Sequence, residues 1–257
     1  LEKIKLGMKI SIREGSAAKN FDSLIDLIDD YPEMLLFCSD DKHPDNLAMS
    51  HINELVRRAV AKGKDTFDVL RAACIHPIIH YSLPVGQLRE GDGADFILVK
   101  DLENFEVLAT YIKGQKVAEN GQSLIPRIKN EVINHFNTSP KKPADFQIPS
   151  QNKQVRVIEA LDGQLITPEV EGEITVKNGL AESNPDQDIM KITVVNRYQD
   201  APPALAFIKN FGLKSGAIAS SVGHDSHNII AVGIDDASIC RAVNLLIEAK
   251  GGVSAVW

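Results

Sequence analysis

Cysteine is scarce in this chain: Cys38, Cys74 and Cys240 are odd in number, far apart, and include no C-x-x-C pair. That pattern suits buried thiols in a reducing cytoplasm better than a disulfide framework or a zinc knot. Basic charge is also short, with 28 Lys and Arg against 35 Asp and Glu and a formal net charge of −7. A binder of phosphate backbones needs a basic patch or stripe, so nucleic acid is not an expected partner. No apolar run approaches the roughly 18 to 20 residues that span a bilayer, so no membrane partner is expected either. No signal peptide precedes the first motif, and no internal repeat is present. What remains is a globular chain of 257 residues whose 44% hydrophobic content suffices for one large core or two ordinary ones.

The densest chemical signal is Ser39-Asp40-Asp41, which ends the apolar run Met34-Leu35-Leu36-Phe37-Cys38 and opens into Lys42-His43-Pro44. A buried strand ending in carboxylates, followed by a loop and a helix, is where an α/β barrel places its chemistry. The same acids also serve as plain turn or helix-cap residues.

Four segments occur in order: Arg13-Glu14-Gly15-Ser16-Ala17-Ala18-Lys19, Phe37-Cys38-Ser39-Asp40-Asp41-Lys42-His43-Pro44, Gly93-Ala94-Asp95-Phe96, and Ser220-Ser221-Val222-Gly223-His224-Asp225-Ser226-His227-Asn228. Together they resemble the C-terminal part of the microbial adenine deaminases, a branch of the amidohydrolase superfamily, from about residue 6 to the end. The resemblance implies an α/β fold: the closing βα units of a (β/α)8 amidohydrolase barrel with a small β-sheet domain, then a separate C-terminal α/β (α+β) domain. It also implies hydrolysis of adenine to hypoxanthine and ammonia by a water activated at a divalent metal, manganese or iron in a binuclear site. Homodimers are the expected assembly.

On that resemblance Asp40 is the metal ligand and the acceptor of the water's proton, although sequence alone does not separate it from Asp41. Glu14 lies at the preceding strand end, as a second catalytic candidate or as one half of an ion pair with Arg13. Arg13, Ser16, Asp41 and His43 are candidates for contact with adenine. So are His224, Asp225 and His227, whose loop also reads as a polar hinge or as a second, independent metal site; a Ser-His-Asp triad is disfavoured because its members seldom come from one loop. The sequence contains no His-x-His pair. The chain is therefore expected to be a C-terminal fragment that needs the N-terminal part of its own chain for most metal ligands, and to be inactive alone.

Four segments are expected: barrel over 1–82, small β domain over 83–125, helix or linker over 126–150, and the C-terminal domain over 151–257. In the first, a strand over 8–12 is followed by a helix whose apolar face is Phe21, Leu24, Ile25, Leu27 and Ile28, N-capped by Asn20 or Asp22. A strand over 34–38 follows, then a helix through Ile52, Leu55, Val56, Ala59 and Val60, then one from Thr66 to Cys74 that stops before His76-Pro77. In the last segment, strands are expected at 155–158, 174–176, 192–195, 217–219 and 229–232. A helix is expected over Pro203 to Lys209, and another, capped by Asp235 or Asp236, runs to Gly251-Gly252.

Overall fold

Two short parallel strands frame the first half of the protein: β1 (Ile10–Arg13) and β2 (Leu35–Cys38), in register from Ile10 opposite Leu35 to Arg13 opposite Cys38. The computed structural model describes residues 1–129, 131 and 133–257. The chain divides into two units, Leu1–Lys129 and a second running to Trp257.

In the first unit, Leu35, Leu36 and Phe37 are all buried, as a parallel strand covered on both faces requires. The crossover between β1 and β2 buries Phe21, Ile25 and Ile28, but it is an α turn, Phe21–Leu24, passing into a 3-10 turn, Ile25–Ile28. Asn20 holds the N-cap position without capping, because its Oδ1 accepts from the Arg13 N–H at 2.8 Å instead. The Ile52–Ala61 helix buries Leu55, Val56 and Ala59 into the same core, as its spacing predicts.

The helix beginning at Thr66 is capped by Asp65 and does not stop before His76-Pro77. A five-residue π turn, Arg71–Ile75, leads into a further α segment, His76–Tyr81. The wider turn accommodates a proline ring that a regular turn would exclude.

A four-stranded antiparallel sheet follows: β3 (Phe96–Val99), β4 (Val107–Ile112), β5 (Gln115–Glu119) and β6 (Gln122–Ser123), in that order. Asp95 of the Gly-Ala-Asp segment accepts hydrogen bonds from the backbone N–H groups of Gly86 and Lys113, both at 2.7 Å. These donors hold its carboxyl below the usual range and fix the entrance to β3. Its role is structural.

The second unit carries two sheets. The short strands β7 (Ile148–Pro149), β10 (Thr175–Lys177) and β11 (Leu180–Glu182) pair in the order β10-β11-β7. The larger sheet joins β8 (Gln154–Glu159), β9 (Glu169–Glu173), β12 (Ile189–Val195), β13 (Ala204–Lys209), β14 (Ala217–Gly223), β15 (Asn228–Gly233) and β16 (Val253–Val256). Their order is β16-β14-β15-β12-β13-β8-β9, antiparallel except for β13 beside β8. The Asp236–Ala249 helix lays Ile239, Ala242, Val243 and Leu246 against Ala217, Ala219, Ile229 and Ala231. Asp235 caps it by accepting from the Ser238 N–H at 2.8 Å, and Lys250 ends it in the left-handed conformation before Gly251.

The helix expected over Pro203 to Lys209 is instead β13, which pairs with β12 from Ile189–Lys209 to Val194–Ala204. The segment between Pro203 and the left-handed Asn210 pairs along β12 instead, and Phe207 and Ile208 are buried in two different apolar clusters. Of the segment 126–150, residues 130 and 132 lie outside the described residues. Elsewhere in it a 3-10 turn, Pro143–Phe146, buries Phe146, and no α-helix occurs among the described residues.

Asp200 is held by the buried Lys141 ammonium and by the Ser139 hydroxyl, which lower its pKa to about 2. A depressed carboxylate contributes stability that is full above its unfolded value, near 3.8, and is lost as pH falls toward 2. The Asp200 carboxyl carbon should therefore titrate near pH 2 by 13C NMR, and Lys141→Met should return it toward 3.8. An unchanged midpoint in that variant would assign the shift to Ser139 alone.

Candidate functional site

Because β1 and β2 run parallel, the residues that follow them leave at the same edge, and Glu14 lies beside Ser39 and Asp40. The Glu14 N–H donates to Cys38 O at 3.4 Å, extending the strand pairing by one residue. Asp40 then turns the chain in the left-handed region, at φ 51°. Its Oδ1 lies 3.5 Å from Arg13 Nη1. Gly15 packs beneath it: a Cβ there would stand 3.1 Å from Asp40 Oδ2 and 3.3 Å from Ala18 O, so the carboxylate uses space that glycine leaves.

Ser16 ties the two loops together. Its N–H donates to Asp41 O at 3.1 Å, and its hydroxyl donates to Asn46 Oδ1 at 2.6 Å while accepting from the His43 N–H at 2.8 Å. His43 leads directly into the Pro44–Met49 helix, with its own carbonyl accepting from the Leu47 N–H at 2.8 Å. The structure thus brings together Arg13, Glu14, Ser16, Asp40, Asp41 and His43.

The alternative that Arg13 pairs with Glu14 does not hold: Arg13 faces Asp40, and Glu14 faces Arg58 of the Ile52–Ala61 helix, Nη1 to Oε1 at 3.0 Å. Arg58 also reaches Asp22 Oδ2 at 2.9 Å and lies 4.0 Å over the Phe21 ring. The second Glu14 oxygen, Oε2, is buried and takes no hydrogen bond from any described residue. Arg58 and Asn46 escaped the sequence reading. An arginine on an otherwise typical amphipathic helix reads as a solvated face, and only the fold turns it toward a strand end.

Among the described residues of this unit, no three His, Cys, Asp or Glu side chains converge as a ligand set. Asp40 offers one hard oxygen donor of the kind a divalent cation accepts.

In the second unit, His224, Asp225 and His227 sit in the turn of the β14–β15 hairpin. His224 Nδ1 contacts Asp225 Oδ1, and the two imidazole rings stand 6.2 Å apart, edge to face. The turn is held from below: Tyr198 donates its hydroxyl to Ser226 O at 2.7 Å, and Asn228 Oδ1 accepts from the Arg197 N–H at 3.3 Å. All three candidate side chains are exposed.

Comparison with known proteins gives a consistent picture. Residues 4–117 match the amidohydrolase family, and residues 164–257 match the adenine deaminase C-terminal domain. The adenine deaminase of Salinibacter ruber is 54% identical over 255 residues, covering 99% of this chain and 47% of that protein. That of Sulfurovum sp. is 54% identical over 256 residues, covering 100% of this chain and 46% of the relative. That of Methanosarcina acetivorans is 51% identical over 264 residues, covering 98% and 48%. The chain thus spans about half the length of the curated relatives it matches. Among solved structures, a β-aspartyl dipeptidase from Fervidobacterium islandicum AW-1 aligns with TM-score 0.41 and 21% identity, over 50% of this chain and 38% of that one. The chain is thus similar to the amidohydrolase family over residues 4–117 and to the adenine deaminase C-terminal domain over residues 164–257.

Proposed function

We propose that this chain forms part of a hydrolytic adenine deaminase, in which adenine and water give hypoxanthine and ammonia. The observation that carries the reading is identity near 50% with curated adenine deaminases along the whole chain. The parallel β1–β2 pair, with its acids at one edge, supports a place in the closing units of a (β/α)8 barrel.

The match of residues 4–117 to the amidohydrolase family suggests a divalent metal; manganese or iron in a binuclear site is the arrangement proposed here. When bound, the metal supplies Lewis acidity that brings the pKa of a water toward neutrality. Asp40 is the ligand this chain offers, with further ligands from the N-terminal part of the full-length protein. Its carboxylate takes the proton of the attacking water and passes it toward the amine leaving C6. Arg13 orients that carboxylate. Glu14 accepts a hydrogen bond from the purine, and Ser16, Asp41 and His43 shape the loop beside it. In the second unit, His224, Asp225 and His227 are the candidates for contact with the base. A homodimer is the proposed assembly. No helix among the described residues is long and apolar enough to cross a membrane.

The test is ammonia release from adenine by a protein of the relatives' full length that contains this chain, loaded with Mn²⁺, with adenosine and cytosine as controls. Metal-dependent release from adenine alone is the expected result, with none from residues 1–257 by themselves. A folded, metal-loaded protein silent on adenine would move the assignment to another heterocycle.

A further inference from the structure

The hydrogen-bonding state of Glu14 is unusual. Its Oε1 is engaged by Arg58, while Oε2, on the same carboxylate, is buried with no donor among the described residues. No other carboxylate oxygen among the described residues is in that condition. Leaving a buried acceptor unsatisfied is costly, and such atoms in a folded protein call for an explanation, a catalytic or binding role among them.

Arg58 is itself held firmly. Its guanidinium lies 4.0 Å over the Phe21 ring, its Nη2 reaches Asp22 at 2.9 Å, and Asp22 is gripped in turn by Lys62 at 3.2 Å. Phe21 is fully buried and directly follows Asn20, whose side chain closes the end of β1. The arginine is therefore anchored to the same strand end that presents Glu14. A planar guanidinium fixed in this way offers its fork to one carboxylate oxygen in a single direction.

We propose that Arg58 is a positioning residue for Glu14: it holds the carboxylate by Oε1, so that Oε2 is aimed as an acceptor for an N–H of the substrate. The inference rests on the deaminase reading. It assigns to Arg58 no contact with the reacting atoms. The contact offered by Oε2 is that of an acceptor, so the substrate brings the proton to it.

A double-mutant cycle in the full-length, metal-loaded protein tests it, with kcat/KM for adenine and the urea midpoint measured for each variant. Arg58→Met should lower kcat/KM about 100-fold, the scale on which small displacements of a positioned group act. Arg58→Lys, which keeps a cation beside Oε1, should recover at least about tenfold of that loss. In a Glu14→Gln background Arg58→Met should cost less than about threefold, since there is no carboxylate left to orient. Equal losses in both backgrounds, or no recovery by lysine in a protein with an unchanged urea midpoint, would reduce Arg58 to a packing residue and overturn the proposal. If the wild-type protein does not turn over adenine, the deaminase reading fails and this inference falls with it. If wild type is active and the losses add, this inference alone fails.

Discussion

Asp40→Asn in the full-length protein is expected to lower kcat for adenine by about a thousandfold or more, and to reduce bound metal measured by mass spectrometry. The substitution keeps the size of the side chain while removing the charge that a divalent ion and a proton-accepting group both need. It is also conformationally clean. Asp40 sits at φ 51°, and asparagine tolerates that region as well as aspartate does, so backbone strain does not confound the result. Asp41→Asn is the informative companion. The Asp41 backbone carbonyl, which accepts from Ser16 N–H, is untouched by that change. The expected effect is a rise in KM of less than about tenfold with kcat retained. The opposite outcome, with Asp41→Asn inactive and Asp40→Asn active, would transfer the ligand role to Asp41.

Why the acids could be placed from sequence, and their partners not, follows from the range of the interactions. Leu35, Leu36 and Phe37 form a run buried on both faces, and such a run is legible because it depends on the local order of residues. Once two βα units are recognised, the parallel rule brings Glu14 and Asp40 to one edge without further information. Arg58 reaches Glu14 from a separate helix, and nothing in the local pattern around Arg57-Arg58 distinguishes the inward arginine from its neighbour, which pairs with Glu54 at 2.6 Å. Pro203 illustrates the reverse error. Proline at a helix start is a sound local signal, but the pairing of β13 along β12 outweighs it, as tertiary context commonly does. Pro77 was misleading for a similar reason: the π turn before it is a property of the packed helix and leaves no mark in the sequence. The hairpin at His224 to His227 was legible as a polar loop between apolar runs, whereas the hold of Tyr198 on Ser226 was not.

The largest effect on stability is expected from Asp236→Ala in the second unit. Lys191 lies within β12 with its side chain 3% exposed, and its ammonium reaches Asp236 Oδ1 at 2.5 Å and Phe146 O at 3.4 Å. Removing the carboxylate strands a cation in the interior, with one long contact to a carbonyl for compensation, a loss of about 3 to 5 kcal/mol on the scale of broken buried pairs. The partner substitution is not symmetrical. Lys191→Met fills much of the same space without a charge, and it leaves Asp236 part exposed in the first turn of the Asp236–Ala249 helix, where backbone N–H groups and the helix dipole favour a carboxylate. Its cost should stay below about 1.5 kcal/mol, because replacing a buried ion by an apolar group of similar shape is often close to neutral. Urea unfolding combined with amide exchange in β12 and β15 would report both values for this unit. Similar costs for the two variants would mean that Lys191 is not stranded by loss of its partner, and that water or Phe146 O satisfies the ammonium once Asp236 is gone.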